Sequence, residues 1–179
     1  NTFFFWYNRI VEKDWTNSYY FGSGQNNNTI SFGMDPNANV NNIVETGPVV
    51  TTGVWTHVAG SWDGSTLRIY VNGELSASKA WVNASVDGSP RTTKIGRWYN
   101  DTEDHYFEGN LDEIRIWSET RTIDQIRDNM YRELPNPASE VNLAAYYQFD
   151  EGIGQTIEDL SMNNNTAVLG ATAAVETSD

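Results

Sequence analysis

Apolar and polar positions along this 179-residue chain fall into short runs, each closed by a cluster of Asn, Asp or Gly. Residues 2–7 form a continuous apolar run, the pattern of a strand buried on both faces. Residues 8–18 are polar, with Asn and Asp, and predict a loop or an exposed hairpin. Strands are predicted at 18–22 and 29–34; in the latter, Thr29-Ile30-Ser31-Phe32-Gly33-Met34 has the period of two of a half-buried strand. Further strands are predicted near 43–46, 54–62, 66–72, 75–80, 92–97 and 107–117. Asp63-Gly64 and Asn72-Gly73 stand between β-rich runs, where type I′ hairpin turns need φ > 0 at both central residues. Turn signals about every 8–12 residues predict an all-β sandwich of two antiparallel sheets.

One segment has the helical period instead. Thr122 with Gln125 fits a capping box, and Ile123, Ile126 and Met130 form one apolar stripe. Pro135 and Pro137 end it, so one short helix is expected near 122–133. A further strand is read at 143–152, and residues 171–179 read as a frayed tail.

Composition narrows the function classes. The chain carries 11 Lys and Arg against 24 Asp and Glu, a net charge of −13. That disfavours nucleic acid, whose binding depends on neutralising phosphates, and anionic membrane surfaces equally. Cysteine is absent, which removes disulfides and thiolate metal sites. No apolar run reaches the roughly 18 residues of a membrane span. The 7 Trp, 9 Tyr and 7 Phe are many for this length, and most of them are expected to fill the sandwich core.

Gly53-Val54-Trp55-Thr56-His57-Val58-Ala59-Gly60-Ser61-Trp62-Asp63-Gly64, followed by Leu67-Arg68-Ile69-Tyr70-Val71-Asn72-Gly73, then Ile95-Gly96-Arg97 and Asn110-Leu111-Asp112-Glu113-Ile114-Arg115-Ile116-Trp117, resembles the laminin-G-like and pentraxin-like jellyroll domains of the concanavalin A-like superfamily. The resemblance implies a jellyroll β-sandwich and an extracellular, noncatalytic binding module of a larger secreted or cell-surface protein. It is strongest over 53–133, and the trailing strands of 138–170 are expected to close the same sandwich, giving one domain over 1–179. Exchange of those strands with a neighbouring copy is the rival arrangement. Trp55, Trp62 and Trp117 lie in the family's strand pattern and are expected in the core, with Trp6.

Polysaccharide-cutting relatives carry Glu-x-Asp-x-x-Glu on one strand, with nucleophile and acid about 5–5.5 Å apart. Glu12-Lys13-Asp14-Trp15-Thr16-Asn17 imitates the first half, but Asn17 stands where the acid is required and cannot donate the proton. His57 reads as a hydrogen-bonded strand histidine. No catalytic residue is assigned.

Sugar recognition needs aromatic faces flanked by amides and carboxylates. Trp98, Tyr99, Asn100, Asp101, His105 and Tyr106 meet that description, with Trp15, Tyr19 and Tyr20 near Asn17 as a second group and Trp81-Val82-Asn83 as a third. A structural calcium is the cofactor the resemblance implies. Asp112 opens the strand that often holds it in relatives, Asp101, Glu103 and Asp104 are further oxygen donors, and Asp150, Glu151 or Asp159 of the trailing segment would complete the set. Local capping by Asp112, or its pairing with Arg115, and a solvated acidic loop at 100–104 are the alternatives. Asn27, Asn83, Asn100 and Asn164 head Asn-x-Ser/Thr sequons. The expected partners are a glycan or polysaccharide and neighbouring domains. The alternative functions are a structural or adhesive interaction module that binds no sugar and, third, an unusual glycoside hydrolase, which requires two carboxylates about 5–9 Å apart in the groove.

Overall fold

The computed structural model describes residues 8–14, 18–26, 28–34, 42–82, 89–98 and 106–170. The expected strand at 2–7 lies outside these residues. The chain divides into two compact units, Asn1–Gly109 with Thr122–Tyr131, and Asn110–Arg121 with Arg132–Asp179.

The first unit holds β1 (Arg9–Glu12), β2 (Tyr19–Ser23), β3 (Ile30–Met34), β4 (Ile43–Glu45), β5 (Val58–Trp62), β6 (Thr66–Val71), β7 (Glu74–Ala80) and β8 (Lys94–Ile95). One sheet has the order β4-β3-β2-β1-β8 and the other β5-β6-β7, with every pairing antiparallel. Phe21, Phe32 and Val44 stand opposite one another across β2, β3 and β4, and this row faces the core. Leu67 and Ile69 of β6, both 0% exposed, join them. At Gly60 of β5 the layers come close: a Cβ there would stand 2.9 Å from the Phe32 ring and 3.2 Å from the Phe21 ring.

The helix α1 (Ile123–Asn129) belongs to this unit and is capped as the sequence predicts. Thr122 Oγ1 accepts from Gln125 N, and the Gln125 side chain accepts from Thr122 N. Its Ile126 is buried, and Arg127 donates to Gly73 O at 3.0 Å, which ties the helix to the Asn72-Gly73 turn.

The sequence leaves residues 8–18 open to a loop or an exposed hairpin; residues 9–12 form a strand paired antiparallel with β2, and the correction is that this strand is buried. All four are buried in β1 despite the charges at both ends. A bulge places Arg9 opposite Gly22 and Glu12 opposite Tyr20. Gly22 and Tyr20 are two residues apart on β2 and share a face, so the bulge brings Arg9 and Glu12 to one side of the sheet. There Arg9 Nε donates to Glu12 Oε2 at 2.8 Å, and the pair neutralises itself.

The second unit holds β9 (Ile114–Trp117), β10 (Leu143–Tyr147), β11 (Thr156–Ile157) and β12 (Ala167–Val168), with one turn of 3₁₀ helix at Pro137–Ser139. β10 pairs with β9 of the same chain, and β11 with β12. The predicted strand at 143–152 stops at Tyr147, because Phe149 turns to a φ of 60°. Leu134, Leu143 and Tyr146 form a small core with Trp117 and Leu160 against it.

Candidate functional site

On the face of the five-stranded sheet opposite the apolar core, β-pairing builds two cross-strand rows. One is Glu12, Tyr20, Gly33 and Ile43; the other is Arg9, Gly22, Ser31 and Glu45. The Arg9 guanidinium lies 4.1 Å from the Tyr20 ring centroid. That ring lies across Gly33, where a Cβ would meet Tyr20 Cε1 at 2.4 Å, so no larger residue fits. Burial raises the Tyr20 phenol above its ordinary value, against the lowering effect of Arg9. Glu45 accepts from Thr29 Oγ1 at 2.6 Å and from the Asn26 backbone and side chain. Burial pushes the Glu45 carboxyl up, but these donors prevail and hold it below the ordinary carboxylate range. Asp14, 1% exposed, accepts from Ser89 Oγ at 2.8 Å and faces Arg91 Nε at 3.2 Å. The carboxylates of the Glu12-Lys13-Asp14 segment are therefore both occupied by structural partners.

The predicted ligand residues separate. Tyr99, Asn100, Asp101, His105 and Trp15 lie outside the described residues. Arg97 and Tyr106 form a β-bridge, the Tyr106 ring is 49% exposed, and the Arg97 guanidinium stands 5.1 Å from its centroid. Trp98 is corrected: at 9% exposure it is no open stacking face. Successive residues of extended chain point to opposite sides, so an Arg97 directed over the Tyr106 ring leaves Trp98 turned inward. Tyr19 is half-buried, its phenol raised by burial and hydrogen-bonded to Thr93. Trp81 packs on the core with its ring 5.1 Å from that of Trp62, whose indole N–H donates to Trp81 O; its neighbour Asn83 lies outside the described residues.

Trp55 is the larger correction. Expected in the core, it is 67% exposed, and residues 51–55 are all exposed. The predicted strand at 54–62 begins only at Val58. Ahead of it, Gly53 at a φ of 80° and a Val54 N–H to Thr51 O hydrogen bond of 3.1 Å make a turn that carries Trp55 away from the sheet. About two thirds of a side chain worth roughly 200 Å² stays in water, leaving roughly 3 kcal/mol of burial unused.

The metal candidates divide in the same way. Asp101, Glu103 and Asp104 lie outside the described residues. Asp112 is exposed and accepts from Glu113 N at 2.9 Å, a local cap; it is Glu113 that pairs with Arg115. Asp150 is exposed. Among the described residues no three His, Cys, Asp or Glu side chains gather, so these residues alone do not supply the acidic donor set that a calcium shell of six to eight oxygens usually contains.

The buried carboxylate that the sequence reading undervalued is Asp159. It accepts from Tyr146 N, Ser161 N, Ser161 Oγ and Asn165 N, all between 2.8 and 2.9 Å. Asn163 and Asn165 then donate their side-chain amides to the carbonyls of Leu143 and Ala144. Burial raises the Asp159 carboxyl, and the four donors outweigh it, so the group sits below its ordinary value. The signal was present as short polar residues at every second position from Asp159 to Asn165, the spacing of a side-chain-capped turn.

Comparison with known proteins agrees with this architecture. A curated relative, the rat (Rattus norvegicus) "Sushi, von Willebrand factor type A, EGF and pentraxin domain-containing protein 1", is 28% identical over 116 residues, which is 59% of this chain and 3% of that protein. A crystal structure of a candidate carbohydrate-binding protein from Bacteroides ovatus matches 97% of this chain and 52% of its own, with a TM-score of 0.74 and 25% identity. The chain thus spans about half of the solved relative and a small fraction of the curated one. The fold class is the all-β jellyroll sandwich with one short helix that the sequence predicted. A laminin-G family model described as the concanavalin A-like lectin/glucanases superfamily matches residues 2–127, and the chain belongs to that superfamily.

Proposed function

We propose that this chain is a noncatalytic carbohydrate-binding module of a larger secreted or cell-surface protein. The observation that carries the reading is the structural match, along nearly the whole chain, to the Bacteroides ovatus candidate carbohydrate-binding protein. The site geometry supports it in two ways. Tyr106 offers an exposed ring with the Arg97 cation beside it, a surface able to take a sugar face and a hydroxyl or carboxylate. Glu12 and Asp14, which imitate half of a hydrolase motif, are held by Arg9 and by Ser89 and Arg91. The multidomain rat relative supports a place among neighbouring domains. No helix among the described residues is long and apolar enough to cross a membrane.

The calcium expectation enters this proposal through Asp101, Glu103 and Asp104. A screen of polysaccharides and glycans in millimolar Ca²⁺ and again in EDTA, with melting temperature read alongside, tests both. Binding weakened about tenfold by Tyr106→Ala supports the module and its site. Dependence on Ca²⁺ adds the metal. Absence of binding in either condition overturns the reading in favour of the adhesive alternative.

A further inference from the structure

We propose that Trp55 is a saccharide-stacking platform, on a loop separate from the Arg97–Tyr106 pair, and that it reads sugar units within a polysaccharide chain. The inference rests on the carbohydrate-binding reading above and goes beyond it by naming a contact residue and the part of the polymer it meets. Five tryptophans lie among the described residues: Trp62, Trp81 and Trp117 are half-buried, Trp98 is buried, and Trp55 is exposed. Among the described residues the fold uses the other four indoles for packing and leaves this one in water.

Its position is fixed rather than left to a mobile tip. Val54 N donates to Thr51 O at 3.1 Å, and Thr56 Oγ1 donates to Val54 O at 3.3 Å. Two residues on, His57 N donates to Asn72 Oδ1 at 3.0 Å and Asn72 N to His57 O at 2.8 Å, which fastens the loop to the β6–β7 hairpin turn. That turn is held in place by Arg127 of α1 through Gly73 O. A large, rigid side chain held by backbone bonds on both sides meets a ligand with little ordering cost.

The surroundings suit a sugar. Thr51 and Thr52 are exposed and bring hydroxyls that donate and accept, and the exposed Asn72 amide carries two N–H donors besides its engaged oxygen. Val54, the preceding residue, is also exposed, at 59%. The C–H face of a pyranose stacks on such a ring while its hydroxyls find these partners. An open indole covers one face of a sugar and leaves the other face and both glycosidic links in solvent. An internal unit of a long chain can satisfy that geometry, and no pocket for a chain end is required.

The test uses the full chain as wild type, Trp55→Ala, Trp55→Phe and Tyr106→Ala. Each is run by affinity electrophoresis through gels containing laminarin, xylan, galactan, mannan or pectin, with melting temperature and light scattering in parallel. The expected result is retention of the wild type by at least one polymer, weakened about tenfold in Trp55→Ala and within about threefold in Trp55→Phe. The melting temperature of Trp55→Ala should stay within about 2 °C of wild type, because most of the ring is already in water. The proposal is overturned if Trp55→Ala is retained like the wild type while Tyr106→Ala is not; the carbohydrate reading then stands and the site lies elsewhere. It is also overturned if Trp55→Ala melts far lower, or if Trp55 proves to hold a dimer that the variant dissolves. Failure of the wild type to bind any of the polymers removes both readings.

Discussion

Within each of the two units of this chain, different forces hold the fold. In the first, an apolar core joins two sheets, with Leu67 and Ile69 fully buried and Phe21 and Phe32 packed edge to face at 6.0 Å. In the second, the packed cluster of buried apolar residues shrinks to Leu134, Leu143 and Tyr146, and a carboxylate adds to it: Asp159 collects four donors while Asn163 and Asn165 bind the carbonyls of β10. Apolar burial is non-directional and survives small adjustments. A hydrogen-bonded hub is directional, and loss of its acceptor strands several donors at once.

Five substitutions or conditions sharpen that contrast. Leu67→Ala opens a cavity between the sheets and should cost about 3–4 kcal/mol in denaturant unfolding. Asp159→Ala should cost about 2–3 kcal/mol, because the Tyr146, Ser161 and Asn165 N–H groups lose their acceptor. A loss below about 1 kcal/mol would show that the hub is ornamental and the small apolar core sufficient. Gly33→Ala should cost about 2 kcal/mol, since its Cβ meets the Tyr20 ring that the Arg9 guanidinium covers; an unchanged midpoint would mean that this face of the sheet yields easily.

Acid should act on the hub as well. The Asp159 and Glu45 carboxyls sit below their ordinary values in the folded chain. Folding therefore favours their charged forms; the resulting stability is fully present above the ordinary carboxylate range and is lost as pH falls through the folded values. The melting temperature should drop below about pH 4, and Asp159→Asn should flatten that drop while lowering the plateau at neutral pH. A variant as acid-sensitive as the wild type would assign the effect to other carboxylates. The smallest expected change is at α1: Thr122→Ala removes the cap on Gln125 N and should cost about 1 kcal/mol by the same unfolding assay.

What was legible in the sequence divides along a similar line. The hairpin at Asn72-Gly73, the strands at 66–71 and 30–34 and the capped helix all carry local signals, and each stands close to where it was read. β1 was hidden because Arg9 and Glu12 look like loop charges until the bulge and the neighbouring strand bring them together. Trp55 was misread because a strand pattern says which residues alternate but not where the chain enters the sheet; the turn at Gly53 decides that. Trp98 failed in the opposite sense, since an aromatic in a turn-rich stretch looks exposed until its neighbour Arg97 pairs across to Tyr106. Asp159 read as a spare ligand because its donors are mostly backbone N–H groups, which sequence does not display.

Binding without turnover is the central claim, and one experiment reads both halves. The chain is incubated with each soluble polysaccharide of the panel, its retention is measured by affinity electrophoresis, and new reducing ends are assayed in the same mixture over a day. Retention by at least one polymer with no release of reducing ends is the expected result. Release of reducing ends would contradict the noncatalytic assignment, and absence of retention by every polymer would contradict the carbohydrate-binding one.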